Sequence, residues 1–144
     1  MRGLVGDLGP GGPNEVTLLD TEASIEHMTR GTVRTVDAVV MVTEPYFRSL
    51  ETTARLAPLA RELGVKHVWA VANKTRSERD DAAVREYCAR REIDVIAIVP
   101  FDEQVTAADV RGVALIDHAP ACQAVAAVAG LATTIESRLA DEST

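Results

Sequence analysis

Four short apolar runs, each stopped by a polar residue or a proline and followed by a helical pattern, constrain this chain more than anything else in it. Glu15 to Leu19 ends at Asp20. Ala38-Val39-Val40-Met41-Val42-Thr43 follows Asp37 and gives way to Glu44-Pro45. His67-Val68-Trp69-Ala70-Val71-Ala72 ends at Asn73, and Val95-Ile96-Ala97-Ile98-Val99 is closed by Pro100. Continuous rather than alternating hydrophobicity marks strands covered on both faces, as in a parallel sheet. The intervals read as helices. Ser24 to Val33 is the first, with Ser24 at its cap. The second is capped by Ser49, turns Leu56, Leu59, Ala60 and Leu63 inward, and stops at Gly64. Ser77 to Arg91 keeps Val84, Tyr87 and Cys88 inside. A short helix spans Gln104 to Val110, and a final one led by Pro120 aligns Val128, Leu131, Ala132, Ile135 and Leu139. This alternation predicts an α/β fold, a doubly wound and mainly parallel sheet of four recognisable strands with right-handed crossovers.

The 144 residues suit one domain, which we assign to residues 15–144, after a flexible Gly/Pro-rich segment at residues 1–14. Aromatics make up 3%, so the core is built from Ala, Val, Leu and Ile. The formal charge of −7, with no Lys/Arg cluster to track a backbone, argues against nucleic-acid binding. The sequence carries no membrane-spanning apolar stretch and no signal peptide, so the expectation is a cytoplasmic protein that does not engage membranes. Cys88 and Cys122 each stand inside a helical pattern, without C-x-C or C-x-x-C spacing, and read as small apolar side chains in a reducing compartment.

Ligands of doubly wound sheets bind beyond the carboxyl ends of the strands. Here those ends carry Asp20, Thr43-Glu44, Asn73-Lys74 and Pro100-Phe101-Asp102. A carboxylate such as Asp20 can hold Mg²⁺ through water beside a phosphate, or can merely end a strand. A lone Asn after a strand is ordinarily a turn residue. Lys74 and Arg76 read as solvated. His27, His67 and His118 lack metal-ligand spacing, and Glu22, Glu26 and His27 read as a polar helix surface facing a partner.

The segment Leu18-Leu19-Asp20-Thr21-Glu22-Ala23-Ser24-Ile25-Glu26-His27-Met28-Thr29-Arg30-Gly31-Thr32 resembles the switch segment of the carbon monoxide dehydrogenase nickel-insertion ATPases, the CooC-like branch of the MinD/ParA class. The likeness continues through Val42-Thr43-Glu44-Pro45, Arg48-Ser49-Leu50-Glu51-Thr52, Asn73-Lys74-Thr75-Arg76 and Pro100-Phe101-Asp102-Glu103, covering roughly Val16 to Asp117. It implies a P-loop-NTPase-like three-layer sandwich that binds ATP or ADP with Mg²⁺. By the same resemblance Asp20 is the magnesium-side carboxylate, and Glu22 and Ser24 belong to the turn that senses phosphate. Asn73, with Lys74 beside it, reads the base edge, and Pro100 and Phe101 line the base pocket. Ser24 replaces the family's glycine, which bears on switching because glycine lets backbone approach phosphate closely. The family's C-x-C metal pair is absent, so nickel or zinc binding is not carried over.

The family's G-K-G-G-x-G-K-T loop is also absent. Gly9-Pro10-Gly11-Gly12-Pro13 contains no Lys before Ser or Thr, and its prolines remove backbone N–H donors. That loop does most of the electrostatic work in phosphoryl transfer, so independent hydrolysis is not expected. The sequence reading is therefore an incomplete or degenerate CooC-like pseudo-ATPase in metalloenzyme maturation or a related assembly step. It would act as a homodimer or with a partner supplying the missing elements, and a metalloenzyme client is implied. Two other readings stay open: a non-catalytic interaction or dimerisation module, and a truncated portion of a complete ATPase.

Overall fold

The computed structural model describes residues 16–21 and 36–140. Its centre is a parallel sheet of three strands, β1 (Ala38–Thr43), β2 (His67–Thr75) and β3 (Asp94–Pro100), in the order β1-β2-β3. Helices α1 (Phe47–Glu62) and α2 (Glu78–Ala89) form the two crossovers. Three more follow β3: α3 (Glu103–Arg111), the single turn α4 (Leu115–His118) and α5 (Gln123–Ala140).

The apolar strands are explained by cover on both faces. Met41, Val68, Ala70, Ala72 and Val95 pack with Leu56, Ala57 and Ala60 of α1 and with Val84 and Cys88 of α2. On the other face Val71 and Val99 pack with Ala124 of α5, joined by Val40, Ile96, Ala127 and Leu131. Small residues let the layers approach closely, which suits a chain so poor in aromatics. Its one tryptophan, Trp69, is buried and stacks on His67 with ring centroids 5.0 Å apart.

Several expectations need correction. Among the described residues there are three strands, not four. The run read as a first strand ends in residues 16–21, which lie outside the sheet, and Leu18 is 84% exposed. Its composition is strand-like, but a strand exists only through a hydrogen-bonded neighbour, and among the described residues β1 pairs with β2 alone. The Ser24 to Val33 helix and the Gly/Pro segment fall outside the described residues.

Ser49 does not cap α1. The N-cap is Tyr46, without a side-chain bond, and Ser49 lies inside the first turn, where its hydroxyl accepts from the Glu44 backbone N–H at 2.9 Å. Gly64 does end that helix: at φ +88° it presents its own N–H to Arg61 O and the Val65 N–H to Ala60 O, the paired bonds of a Schellman motif. On α5 the inward line is rotated from the expected stripe. Ala124 is buried, whereas Val128 is 52% exposed and Ala132 also faces solvent. This helix is apolar on several sides, so periodicity alone does not select the face that meets β3. Among the described residues, no helix is long and apolar enough to cross a membrane.

Candidate functional site

Parallel strands in register place their carboxyl ends at one edge. Thr43 lies beside Ala72, and Asn73 beside Val99, so Glu44, Asn73, Lys74 and Pro100 gather there. β2 runs two residues past its expected end at Asn73, with an irregularity between Asn73 and Thr75. Lys74 sits at that point with φ 57°, a left-handed conformation. The break holds because both sides are tied: Asn73 Oδ1 accepts the Lys74 N–H at 3.0 Å, and Thr75 O accepts the Phe101 N–H at 2.8 Å.

Both cations near this turn are exposed, and each also has a partner in the fold. Lys74 Nζ reaches Glu44 Oε1 at 2.7 Å, bridging the ends of β1 and β2. Both groups are partly exposed, so the pair orients more than it stabilises. The Arg76 guanidinium lies 3.5 Å above the centre of the Phe101 ring. At the end of β1, the hydroxyls of Thr43 and Ser49 are 3.1 Å apart, and Thr43 is fully buried. Strand end and helix start are thereby locked together.

Beside this edge is an open depression of about 370 Å³, lined by Thr75, Arg76, Ser77, Asp81, Pro100, Phe101 and Gln123. Pro100 and Phe101, at the end of β3, line it, and Asn73 stands next to the depression rather than in its lining. Asp81 Oδ1 is buried there without a hydrogen-bond partner, an acceptor suited to an N–H or O–H. Asn73 uses its amide oxygen on its own turn, so its NH₂ group is the part of the amide that remains a donor.

Asp102 was not singled out as a site residue, yet it organises the rim. Its carboxylate accepts from Gln104 N at 3.0 Å, capping α3, and from Ala124 N at 3.2 Å at the start of α5. These N–H groups, Gln104 first, hold its carboxyl below the usual carboxylate range. An Asp just before a helical pattern is a readable cap signal; its second helix, 22 residues on, has no local signal. Burial pushes the Cys88 thiol up, consistent with a packing role.

The phosphate side is a different matter. Asp20 is exposed in the segment outside the sheet, and Glu22 and Ser24, with Glu26 and His27, lie outside the described residues. Among the described residues, no group of three or more His, Cys, Asp or Glu side chains could hold a metal ion.

No protein-family model matches the chain. It is 41% identical over 109 residues to the carbon monoxide dehydrogenase accessory protein CooC of Rhodospirillum rubrum, covering 76% of this chain and 41% of that protein. It is 37% identical over 99 residues to an uncharacterized ATP-binding protein of Methanocaldococcus jannaschii, covering 69% and 38%. The chain thus spans about two-fifths of the length of these curated relatives. Among solved structures, the cell division ATPase MinD of Pyrococcus furiosus matches with a TM-score of 0.62 at 21% identity, over 76% of this chain and 46% of that one. A ParA family ATPase of Chlorobium tepidum gives 0.60 at 19% identity, over 73% and 44%. The MinD protein of Pyrococcus horikoshii, complexed with Mg-ADP, gives 0.58 at 20% identity, over 69% and 41%.

Proposed function

The chain is CooC-like in sequence and MinD/ParA-like in fold, and from that premise we propose that it forms the base-side half of a nucleotide site and works with a partner in metalloenzyme maturation. The observation that carries this reading is the convergence of Asn73, Pro100 and Phe101 at one sheet edge, beside a depression with an unpartnered acceptor. In this reading Asn73 donates its NH₂ group to the base, Pro100 and Phe101 wall it, and Lys74 stays on Glu44 to hold the turn. Asp20, Glu22 and Ser24 are assigned to the Mg²⁺ and phosphate side by resemblance alone. A bound Mg-nucleotide would supply the charge that these residues answer. The loop that cradles phosphate in the family has no counterpart in these 144 residues, so these residues by themselves are not expected to hydrolyse ATP.

A second reading, a non-catalytic interaction module, is favoured by one observation: the apolar residues Val42, Tyr46 and Phe47 stand exposed at the end of β1 and the start of α1. Calorimetric titration with ATP and Mg²⁺ separates the two. We expect saturable binding with Kd on the order of a millimolar, weakened about tenfold in Asn73→Ala and little changed in Asp20→Ala. No heat from a folded chain up to several millimolar ATP would reject the nucleotide reading and leave the interaction module.

A further inference from the structure

We infer that Asp81 selects the base in this depression, by accepting a hydrogen bond from the 6-amino group of adenine. The inference rests on the nucleotide reading above and deepens it, since that reading names no residue for the amine. The neighbouring carboxylates are engaged by the fold itself. Glu44 holds the Lys74 ammonium at 2.7 Å, and Asp80 Oδ2 accepts the Arg76 N–H at 2.9 Å. Asp102 accepts from Gln104 N and Ala124 N. Asp81 Oδ1, in contrast, is buried without a donor among the described residues. A carboxylate oxygen can only accept, and one kept from both water and protein donors costs stability. A ligand N–H is what such a group lacks.

Local structure gives this carboxylate no other task. Asp81 lies in the first turn of α2, but the cap there is Ser77, whose hydroxyl accepts the Asp80 N–H. The Asp81 backbone N–H goes to Ser77 O at 3.1 Å. Its side chain lines the depression together with Arg76, Pro100 and Phe101. The residue as a whole is only partly buried, and the carboxylate torsion of Asp is soft, so a small rotation turns Oδ1 toward a ligand.

The lining selects the donor. A cation at Asp81 would share the depression with the Arg76 guanidinium, and among the described residues no group of three or more His, Cys, Asp or Glu side chains could hold a metal. A neutral N–H meets no such repulsion. The Phe101 ring already carries a flat group, the Arg76 guanidinium, at a stacking distance of 3.5 Å, and Pro100 adds an apolar wall. Beside the depression the Asn73 NH₂ group remains a donor and calls for an acceptor. Adenine offers both chemistries on one edge, an exocyclic amine next to a ring-nitrogen acceptor. Guanine and hypoxanthine carry a carbonyl oxygen in place of that amine, which would set acceptor against acceptor at Asp81.

The test is a ¹H–¹⁵N titration of the full chain with adenosine, with purine riboside, which lacks only the amine, and with inosine. The expected result is adenosine binding about tenfold tighter than either of the others, with the Asp81 amide among those that shift. Asp81→Ala should weaken adenosine to the level of purine riboside and leave purine riboside itself unchanged. Asp81→Asn, which keeps an acceptor oxygen, should retain part of the preference. The parent comparison needs no variant, so a misfolded substitution does not decide the matter; thermal melts check the variants. Equal affinities of the parent for adenosine and purine riboside would overturn the inference. So would tighter binding of inosine, or an equal loss for all three nucleosides in Asp81→Ala, the mark of a structural role. Equal affinities that fall in Asn73→Ala would remove the Asp81 assignment alone, whereas no binding of any nucleoside would remove the nucleotide reading with it.

Discussion

Asn73 and Asp102 show how far single residues could be read ahead of the structure. For Asn73 the residue alone implies a turn and the resemblance a base contact; the structure shows the turn, in which its amide oxygen accepts from Lys74 N–H. Asp102 was legible as a cap, but not as the residue that ties α3 to α5. Its lowered pKa fixes the direction of a pH effect. The unfolded chain binds that proton more tightly, so the stabilisation is fully present above the ordinary carboxylate value of about 4 and is lost as pH falls through the lower folded value. Asp102→Asn should therefore melt lower than the parent at pH 7 and show a shallower further decline below pH 4. Thermal melts from pH 7 to pH 2.5 check this; parallel curves for the two proteins would contradict it. The bulge at Lys74 had no sequence signal, because a left-handed lysine depends on its Asn73 bond and its Glu44 pairing rather than on propensity.

At the scale of elements, the helices that cross between strands were read well because their signals are local. Ser77 accepts from the Asp80 N–H at the start of α2, and Val84 and Cys88 are its buried side. Ser77→Ala should cost about 1 kcal/mol, the usual value of a lost N-cap, measurable by urea denaturation with an unchanged slope. Val84 is completely buried between α2 and the sheet, so Val84→Ala should cost roughly 1–3 kcal/mol through lost contact and the cavity left behind. A cost under half a kcal/mol would mean that this core is looser than it looks. The elements that sequence misjudged were those whose fate depends on distant partners. The run ending at Leu19 has strand composition but, among the described residues, no neighbouring strand. α5 is apolar on several sides, and only contact with β3 reveals which of them is covered. Ser49, a reasonable cap by type, is instead held by Thr43 and Glu44 from across the strand end.

For the whole molecule, fold class followed from the continuous apolar strands and their alternation with helices, whereas the strand count did not. Among the described residues the sheet ends at β1, and the residues assigned to phosphate and base do not converge in the same way. Asn73, Pro100 and Phe101 meet at the sheet edge, while Asp20 stands apart and exposed. An account in which this chain holds the base alone makes a distinctive demand: phosphates should add little to affinity until a partner is present. The most direct test is a two-dimensional ¹H–¹⁵N titration of the chain with adenosine and, separately, with ATP and Mg²⁺. The account predicts similar affinities for both, within about threefold, and shifts clustered at Asn73, Lys74, Thr75, Arg76 and Phe101. Shifts elsewhere, or ATP binding that far exceeds adenosine binding, would contradict it, since the chain would then hold phosphate by residues to which this account gives no such role.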